Sequence, residues 1–296
     1  MSRSYGVLLC GLAAVWGSSY LFIKVGVRDL SPAALVEIRL ACALPLLVVF
    51  AARRYGLAAL RSAWREGVVL GTVNAAVPFT LIAWGERYVD SGVAAVANSS
   101  VPIFVAVLAF WFVPSERSTG WRLVGVGLGL AGVAILAGVH PAGGWKGAVG
   151  TGAIVLASVS YAVANLYAGR RMRAGGPVLA AVSMIVAFVM LLPLALVSAP
   201  SHVPGWKSLL SAVALGVLGT AVAQVLSYRM IGIWGSSRSV LVAYMLPAFA
   251  LFYGAVFLSE PVTWQKLCGL ALILLGVGLG SGAVRLVRRT PVAQAP

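Results

Sequence analysis

Apolar residues run along this chain in blocks separated by short polar turns, and ten blocks are marked out. They cover approximately Tyr5–Val27, Pro32–Ala52, Gly67–Trp84, Gly92–Val113, Trp121–Val139, Ala148–Ala168, Pro177–Ser198, Ser208–Met230, Ser239–Leu258 and Trp264–Val284. A helix crosses the hydrocarbon of a bilayer with roughly 20 mostly apolar residues, so each block predicts one spanning helix. The pattern also occurs twice. Shifted by 145 positions, Trp16 falls on Tyr161, Pro32 on Pro177, Gly71 on Gly216 and Pro102 on Pro247. A shift of 144 then places Ser115 and Glu116 on Ser259 and Glu260, and Gly125 and Gly132 on Gly269 and Gly276. Five spans per copy is an odd number, so the second copy enters the bilayer from the opposite side. The expected fold is an all-α membrane protein of ten transmembrane helices, arranged as two inverted five-helix repeats over residues 1–143 and 144–296.

Composition agrees with this reading. With 61% hydrophobic and 10% charged residues among 296, the chain carries more apolar surface than one water-soluble core can bury. The formal charge of +15 would suit a nucleic-acid binder, so its placement decides. Lys24, Arg28, Arg87, Lys146, Lys207 and Lys266 fall in one alternating set of loops, Arg39 lies inside a helix, and the remaining 15 of 22 basic residues fall in the other set. That asymmetry is a topology signal: both termini are expected in the cytoplasm, the partner is the lipid bilayer, and nucleic acid is not. The stretch Gly56–Glu66, flanked by Arg53, Arg54, Arg61 and Arg65, is expected to rest on the inner membrane surface. The apolar run after Arg3 is read as a permanent first helix rather than a signal peptide, because nine more follow. Cys10, Cys42 and Cys268 all fall inside predicted helices and are expected as free thiols.

Polar side chains inside hydrocarbon must face protein, water or a ligand, so they map the interior. The first copy holds Ser18, Ser19, Glu37, Arg39, Asn74, Asn98, Ser99 and Ser100; the second holds Ser158, Ser160, Asn165, Ser183, Gln224 and Ser227. Trp16, Tyr20, Tyr161, Tyr167, Tyr228 and Tyr244 are interleaved with them. Helices five and ten carry glycines four apart instead, Gly125 with Gly129 and Gly276 with Gly280. That is a close-packing signature, within one subunit or between two as a homodimer, and it sets this pair outside the polar region. Pro102 and Pro247 each lack an N–H about ten residues into a helix, roughly 15 Å along it, and both are expected as helix breaks. Repeat-related breaks at mid-depth point to a binding site, while the same polar groups serve equally as helix-to-helix hydrogen bonds; their clustering favours the site.

Glu37 and Arg39 are two apart, point in different directions and make poor partners, so a gating or structural role is expected for both. Glu37, about five residues from the end of its helix, is placed to reach water. No carboxylate sits deep at mid-helix as an obvious proton site. Glu116 and Glu260 are expected to cap or pair at helix turns, with Thr119 and Thr263 starting the next helices. The two histidines, His140 and His202, fall in outer loops, which leaves an intramembrane serine protease or a histidine-bound metal without its parts; no metal, cofactor or catalytic residue is expected. No phosphate-binding Gly-Lys-Ser/Thr loop is present either.

With those residues in hand, the chain resembles the EamA family of the drug/metabolite transporter superfamily over nearly its whole length, and is similar to its amino-acid (aromatic amino-acid) exporter branch. The matching pieces are Trp16-Gly17-Ser18-Ser19-Tyr20, Arg39, Pro78-Phe79, Trp84-Gly85-Glu86, Ser91-Gly92-Val93-Ala94-Ala95, Pro102, Ser115-Glu116-Arg117, Pro247 and Leu258-Ser259-Glu260-Pro261-Val262-Thr263. The family usually has glycine where Ser115 and Ser259 stand. The resemblance implies a ten-helix secondary carrier in the cell inner membrane, with helices one to four and six to nine around a central cavity. A cavity with amide and hydroxyl groups, aromatic walls and little fixed charge suits a zwitterion, so amino acids and related small metabolites are the expected small-molecule substrate. Trp16, Tyr20, Asn74, Asn98, Tyr161, Asn165, Gln224, Tyr228 and Tyr244 are the candidate substrate-binding residues. A multidrug exporter of the same fold and a scramblase of lipids or lipid-linked precursors are the alternatives.

Overall fold

The computed structural model describes residues 3–112, 121–138, 144–171, 175–234 and 241–280. Among them every regular element is helical. In chain order these are α1 (Arg3–Gly26), α2 (Pro32–Tyr55), α3 (Trp64–Gly85), α4 (Ser91–Phe112), α5 (Trp121–Gly138), α6 (Gly144–Arg171), α7 (Gly176–Val197), α8 (Trp206–Trp234), α9 (Leu241–Leu258) and α10 (Trp264–Gly280). All but α5 and α10 are long and apolar enough to cross a membrane; the apolar parts of those two are shorter, Leu123–Leu136 and Trp264–Leu279. Local chemistry explains the ends. Pro32 opens α2 where an N–H would be unbonded, Ser31 Oγ accepts from Ala34 N at 3.2 Å, and Gly56 closes the helix at φ 80°. The stretch expected as a surface segment is a short helix, Leu57–Ser62, after which α3 begins at Trp64, earlier than the Gly67 expected from the pattern.

The repeats run in opposite senses. Ser31, just before α2, hydrogen-bonds Ser198, just after α7, so these repeat-equivalent helices lie antiparallel. The α5–α10 pair shows the same: Gly132 faces Gly269 and Ile273, while Gly276 faces Gly125 and Gly129. Packing follows the duplication too, since α1 lies against α8 and α9, and α6 against α3 and α4. Glycine makes the closest approaches. A Cβ on Gly71 would stand 2.7 Å from the Ser183 carbonyl oxygen, where α3 meets α7; one on the equivalent Gly216 would stand 2.5 Å from that of Arg39, where α8 meets α2. The glycines of α5 and α10 pair with each other inside the chain.

Two features depart from ideal helix. α3 and α8 each contain a π-helical turn, Thr72–Ala76 and Val217–Val222, which begin at repeat-equivalent positions. π turns loosen the regular bonding ladder and free backbone carbonyls, often at functional sites. α4 is interrupted at Ser99–Ser100, directly before Pro102, whereas α9 runs unbroken through Pro247. The expectation of a break at Pro247 is therefore corrected. Ser99 Oγ and Ser100 Oγ donate to the carbonyls of Ala95 (2.9 Å) and Ala97 (2.6 Å), competing with helical bonding. At the equivalent places α9 has Tyr244 and Met245, which offer the backbone no such hydroxyl.

Candidate functional site

The irregular parts of α3, α4 and α8 converge with the polar faces of α1, α2 and α6. Asn98, last residue before the α4 interruption, donates from Nδ2 to the Tyr20 hydroxyl at 2.9 Å. Its Oδ1 accepts from Ser158 Oγ on α6 at 3.2 Å. Two residues along α6, Ser160 Oγ donates at 2.7 Å to the carbonyl of Val73, inside the α3 π turn. Arg39 of α2 donates from Nε to Thr220 Oγ1 at 2.7 Å, inside the α8 π turn, and its guanidinium carbon lies 3.6 Å from the centroid of the Phe79 ring. Both phenols, Tyr20 and Tyr161, lie within electrostatic reach of Arg39. Six helices thus meet at one polar cluster, with Tyr20 5% and Arg39 8% exposed.

The other candidate residues lie at varying distance from that cluster. Asn74 sits in the α3 π turn and Gln224 just past that of α8; both are half-buried, and neither side chain has a hydrogen-bond partner among the described residues. Asn165 is exposed and bonds the Tyr161 carbonyl of its own helix at 2.8 Å. Trp16 packs with Leu12, Ala13, Ala223 and Val242 between α1, α8 and α9. Tyr244 packs on the α4–α5–α10 side with Ile103 and Ile273. Tyr228 lies on the start of α7, where its ring fills the space a Cβ on Gly176 would take. Glu37 does not reach water as expected: it is 8% exposed with neither oxygen hydrogen-bonded among the described residues. Its neighbour Arg39 binds Thr220 instead, so the two are not partners.

One end of the molecule is closed by bonds that cross between the repeats. Asp29, after α1, accepts from Gly205 N at 3.0 Å and Ser208 Oγ at 2.8 Å, and Ser208 also reaches the Val25 carbonyl. Glu260, before α10, accepts from Ser91 N at 2.8 Å, Ser91 Oγ at 2.9 Å and Gly92 N at 3.2 Å. Lys266 of α10 pairs with Asp90 at 2.7 Å. Glu260 caps a helix, as a glutamate at a helix turn is expected to, and the helix is α4 of the other repeat, where a carboxylate meets both free N–H groups and the positive end of the helix dipole. Thr263 does start α10, its Oγ1 accepting from Lys266 N at 3.4 Å. Glu116 and Thr119 lie outside the described residues. Ser259 adopts φ 55°, a left-handed conformation that glycine takes freely. Two grooves, about 560 Å³ beside Pro45, Val49 and Arg53 and about 160 Å³ between α4 and α5, lie apart from the Tyr20–Asn98 cluster. Neither groove is the central chamber expected from the pattern.

A family description, "EamA-like transporter family", matches the chain twice, over residues 4–138 and 148–281. The chain belongs to the EamA-like transporter family. Its relatives share its length as well as its pattern. An "Uncharacterized transporter" of Archaeoglobus fulgidus is 27% identical over 92% of this chain and 96% of its own. The "Uncharacterized inner membrane transporter YedA" of Escherichia coli K12 is 27% identical over 92% and 88%. A "Probable amino-acid metabolite efflux pump" of Salmonella typhimurium is 29% identical over 98% of each. A solved crystal structure superposes with a TM-score of 0.67 over 97% of this chain and all of the other at 18% identity, which concerns the fold alone. This EamA-like chain is accordingly a multi-pass membrane transporter and not an enzyme. Sequence reasoning missed Thr220 and Phe79 as the partners of Arg39, and also the two π turns. The repeated Gly71 and Gly216, each directly before its π turn, were the available signal.

Proposed function

We propose that this protein exports amino acids and related small metabolites across the inner membrane by alternating access between its two repeats. The Arg53–Arg65 end and both termini face the cytoplasm, and the end closed by Asp29, Glu260 and Lys266 faces outward. The observation that carries the reading is the convergence of Tyr20, Asn98 and Tyr161 with the α4 interruption and both π turns, between oppositely threaded repeats. Half-helix ends and loosened backbone between inverted repeats are where carriers bind substrate. The amides of Asn74 and Gln224, without partners among the described residues, supply neutral donors and acceptors, which suits a zwitterion, and the efflux-pump name of the Salmonella relative supports the same substrate class.

Purified protein in vesicles, offered a panel of radiolabelled amino acids with and without a proton gradient, tests this. Asn98→Ala and Gln224→Ala are expected to slow transport in protein that still folds. Loss of one hydrogen-bonding group costs about 1–3 kcal/mol, or roughly tenfold to a hundredfold. Wild-type rates in both variants would remove these residues from the site. Movement of hydrophobic cations, or lipid transfer with no amino-acid flux, would replace the substrate class.

A further inference from the structure

Glu86, first residue past α3, is fully buried at 0% exposure, and neither carboxylate oxygen has a hydrogen-bond partner among the described residues. Such a group costs several kcal/mol if it stays ionised, so it is either neutral or compensated. The cation beside it is Lys24 of α1, whose Nζ donates to the backbone carbonyls of Glu86 (2.7 Å) and Val89 (2.6 Å) and, among the described residues, to no carboxylate. The other groups facing Glu86 are Tyr20 of α1 and Glu260 of the turn before α10, with the Asp90–Lys266 pair alongside. α6 meets this end of α3 through Gly150 and Ile154, neither of which titrates.

Charge counting in this closed cluster separates the two protonation states. Lys24 and Lys266 balance Asp90 and Glu260; an ionised Glu86 would leave a net negative charge on a carboxyl that is itself closed to water, and a protonated one leaves none. Burial pushes the Glu86 carboxyl well above the usual carboxylate range, Lys24 opposes the shift, and the charge of Glu260 adds to it. The Glu260 carboxylate, by capping Ser91 and Gly92, is also part of what seals this end.

We propose that Glu86 is a proton-binding site that links closure of the Glu260 end to the acidity of the solution on that side. The proposal rests on the alternating-access reading above. Closing the end buries Glu86, which takes one proton from water; opening it hydrates the carboxyl, which returns the proton. Because the closed form has the higher pKa, acid favours closure, and closure is lost as pH rises through the closed-form value. Between the open-form and closed-form values each pH unit changes the ratio of the two forms by about tenfold.

Spin labels on cysteines at Arg87 and Val203, both exposed and on opposite repeats at this end, report the separation by electron double resonance in lipid nanodiscs. Cys10, Cys42 and Cys268 are first replaced by alanine in this parent. Titrated from acid to alkaline pH, the parent is expected to gain a longer-distance component by up to about tenfold per unit. Glu86→Gln is expected to hold the short distance at every pH, and Glu86→Asp to respond with a displaced midpoint. Glu260→Ala, which removes the clamp, is expected to show the longer distance even in acid. A Glu86→Gln titration like the parent's, or a parent that does not respond to pH, overturns the proposal while leaving transport standing. Absence of the longer component in Glu260→Ala as well would sink alternating access with it. Should Glu86→Gln fail to fold, an unchanged midpoint in Glu86→Asp overturns the proposal.

Discussion

Arg39→Met and Thr220→Val, made singly and together, isolate the tie between α2 and the α8 π turn. Arg39 Nε donates to Thr220 Oγ1 at 2.7 Å inside a region where Arg39 is 8% exposed, and the guanidinium stacks on Phe79. A hydrogen bond from a charged donor is worth about 1.5–3 kcal/mol, more than a neutral one, because its loss strands a desolvated charge. Thr220→Val loses that bond and also the 3.0 Å bond from Thr220 to the Leu215 carbonyl, so it should cost about 2.5–4 kcal/mol. Arg39→Met removes the charge together with its need for a partner, and the apolar replacement offsets much of the loss. In that background Thr220→Val loses only the neutral bond, worth about 1 kcal/mol. The double-mutant cycle should therefore return a coupling of about 1.5–3 kcal/mol. Reversible unfolding in mixed detergent micelles, read by helical circular dichroism, measures all four proteins. Additivity within about 0.5 kcal/mol would refute the argument, since it would mean that Thr220 does not compensate the buried charge.

Two further predictions concern backbone contacts. Gly276→Ala would place a Cβ 2.6 Å from the Gly125 carbonyl oxygen and the Gly129 nitrogen, and backbone cannot move aside cheaply. It should lower the melting point through a loss of about 1–3 kcal/mol, while Gly152→Ala, whose Cβ would meet nothing within 4 Å, serves as the tolerated control. Equal melting of the two variants would show that α5 and α10 do not meet as described. Ser259→Gly should stabilise the protein, because a left-handed backbone costs an L-residue about 1–2 kcal/mol and glycine little. Part of that gain is offset by the freer unfolded chain, leaving roughly 0.5–1 kcal/mol. A lower melting point for this variant would contradict the φ of 55°.

How far the chain could be read from its residues varies element by element. The spans were legible because hydrophobic length is a local property that any window of sequence reports. The duplication and its inversion followed from identical spacing and an odd number of blocks. Tyr20, Asn98, Tyr161 and Arg39 were legible as interior residues because polar groups in apolar stretches are costly anywhere else. Glu86 was not, for it reads as a turn residue next to Arg87, and its burial depends on α1 and the turn before α10 covering it. The reading of Pro102 and Pro247 as equivalent breaks failed because proline weakens a helix without deciding its course. The hydroxyls of Ser99 and Ser100 decide it in α4, and α9 has none to match.

Sequence by itself therefore determined that this is a membrane protein of two oppositely threaded repeats, and which side chains must avoid lipid. Only the tertiary structure decided who meets whom. Arg39 finds Thr220 at a separation of 181 residues, and Glu260 caps α4 at a separation of 169. The physical reason is that burial of polar groups in hydrocarbon fixes only that each needs a partner. Which partner it gets depends on how helix faces are turned toward one another, and here glycine contacts and π turns set that rotation.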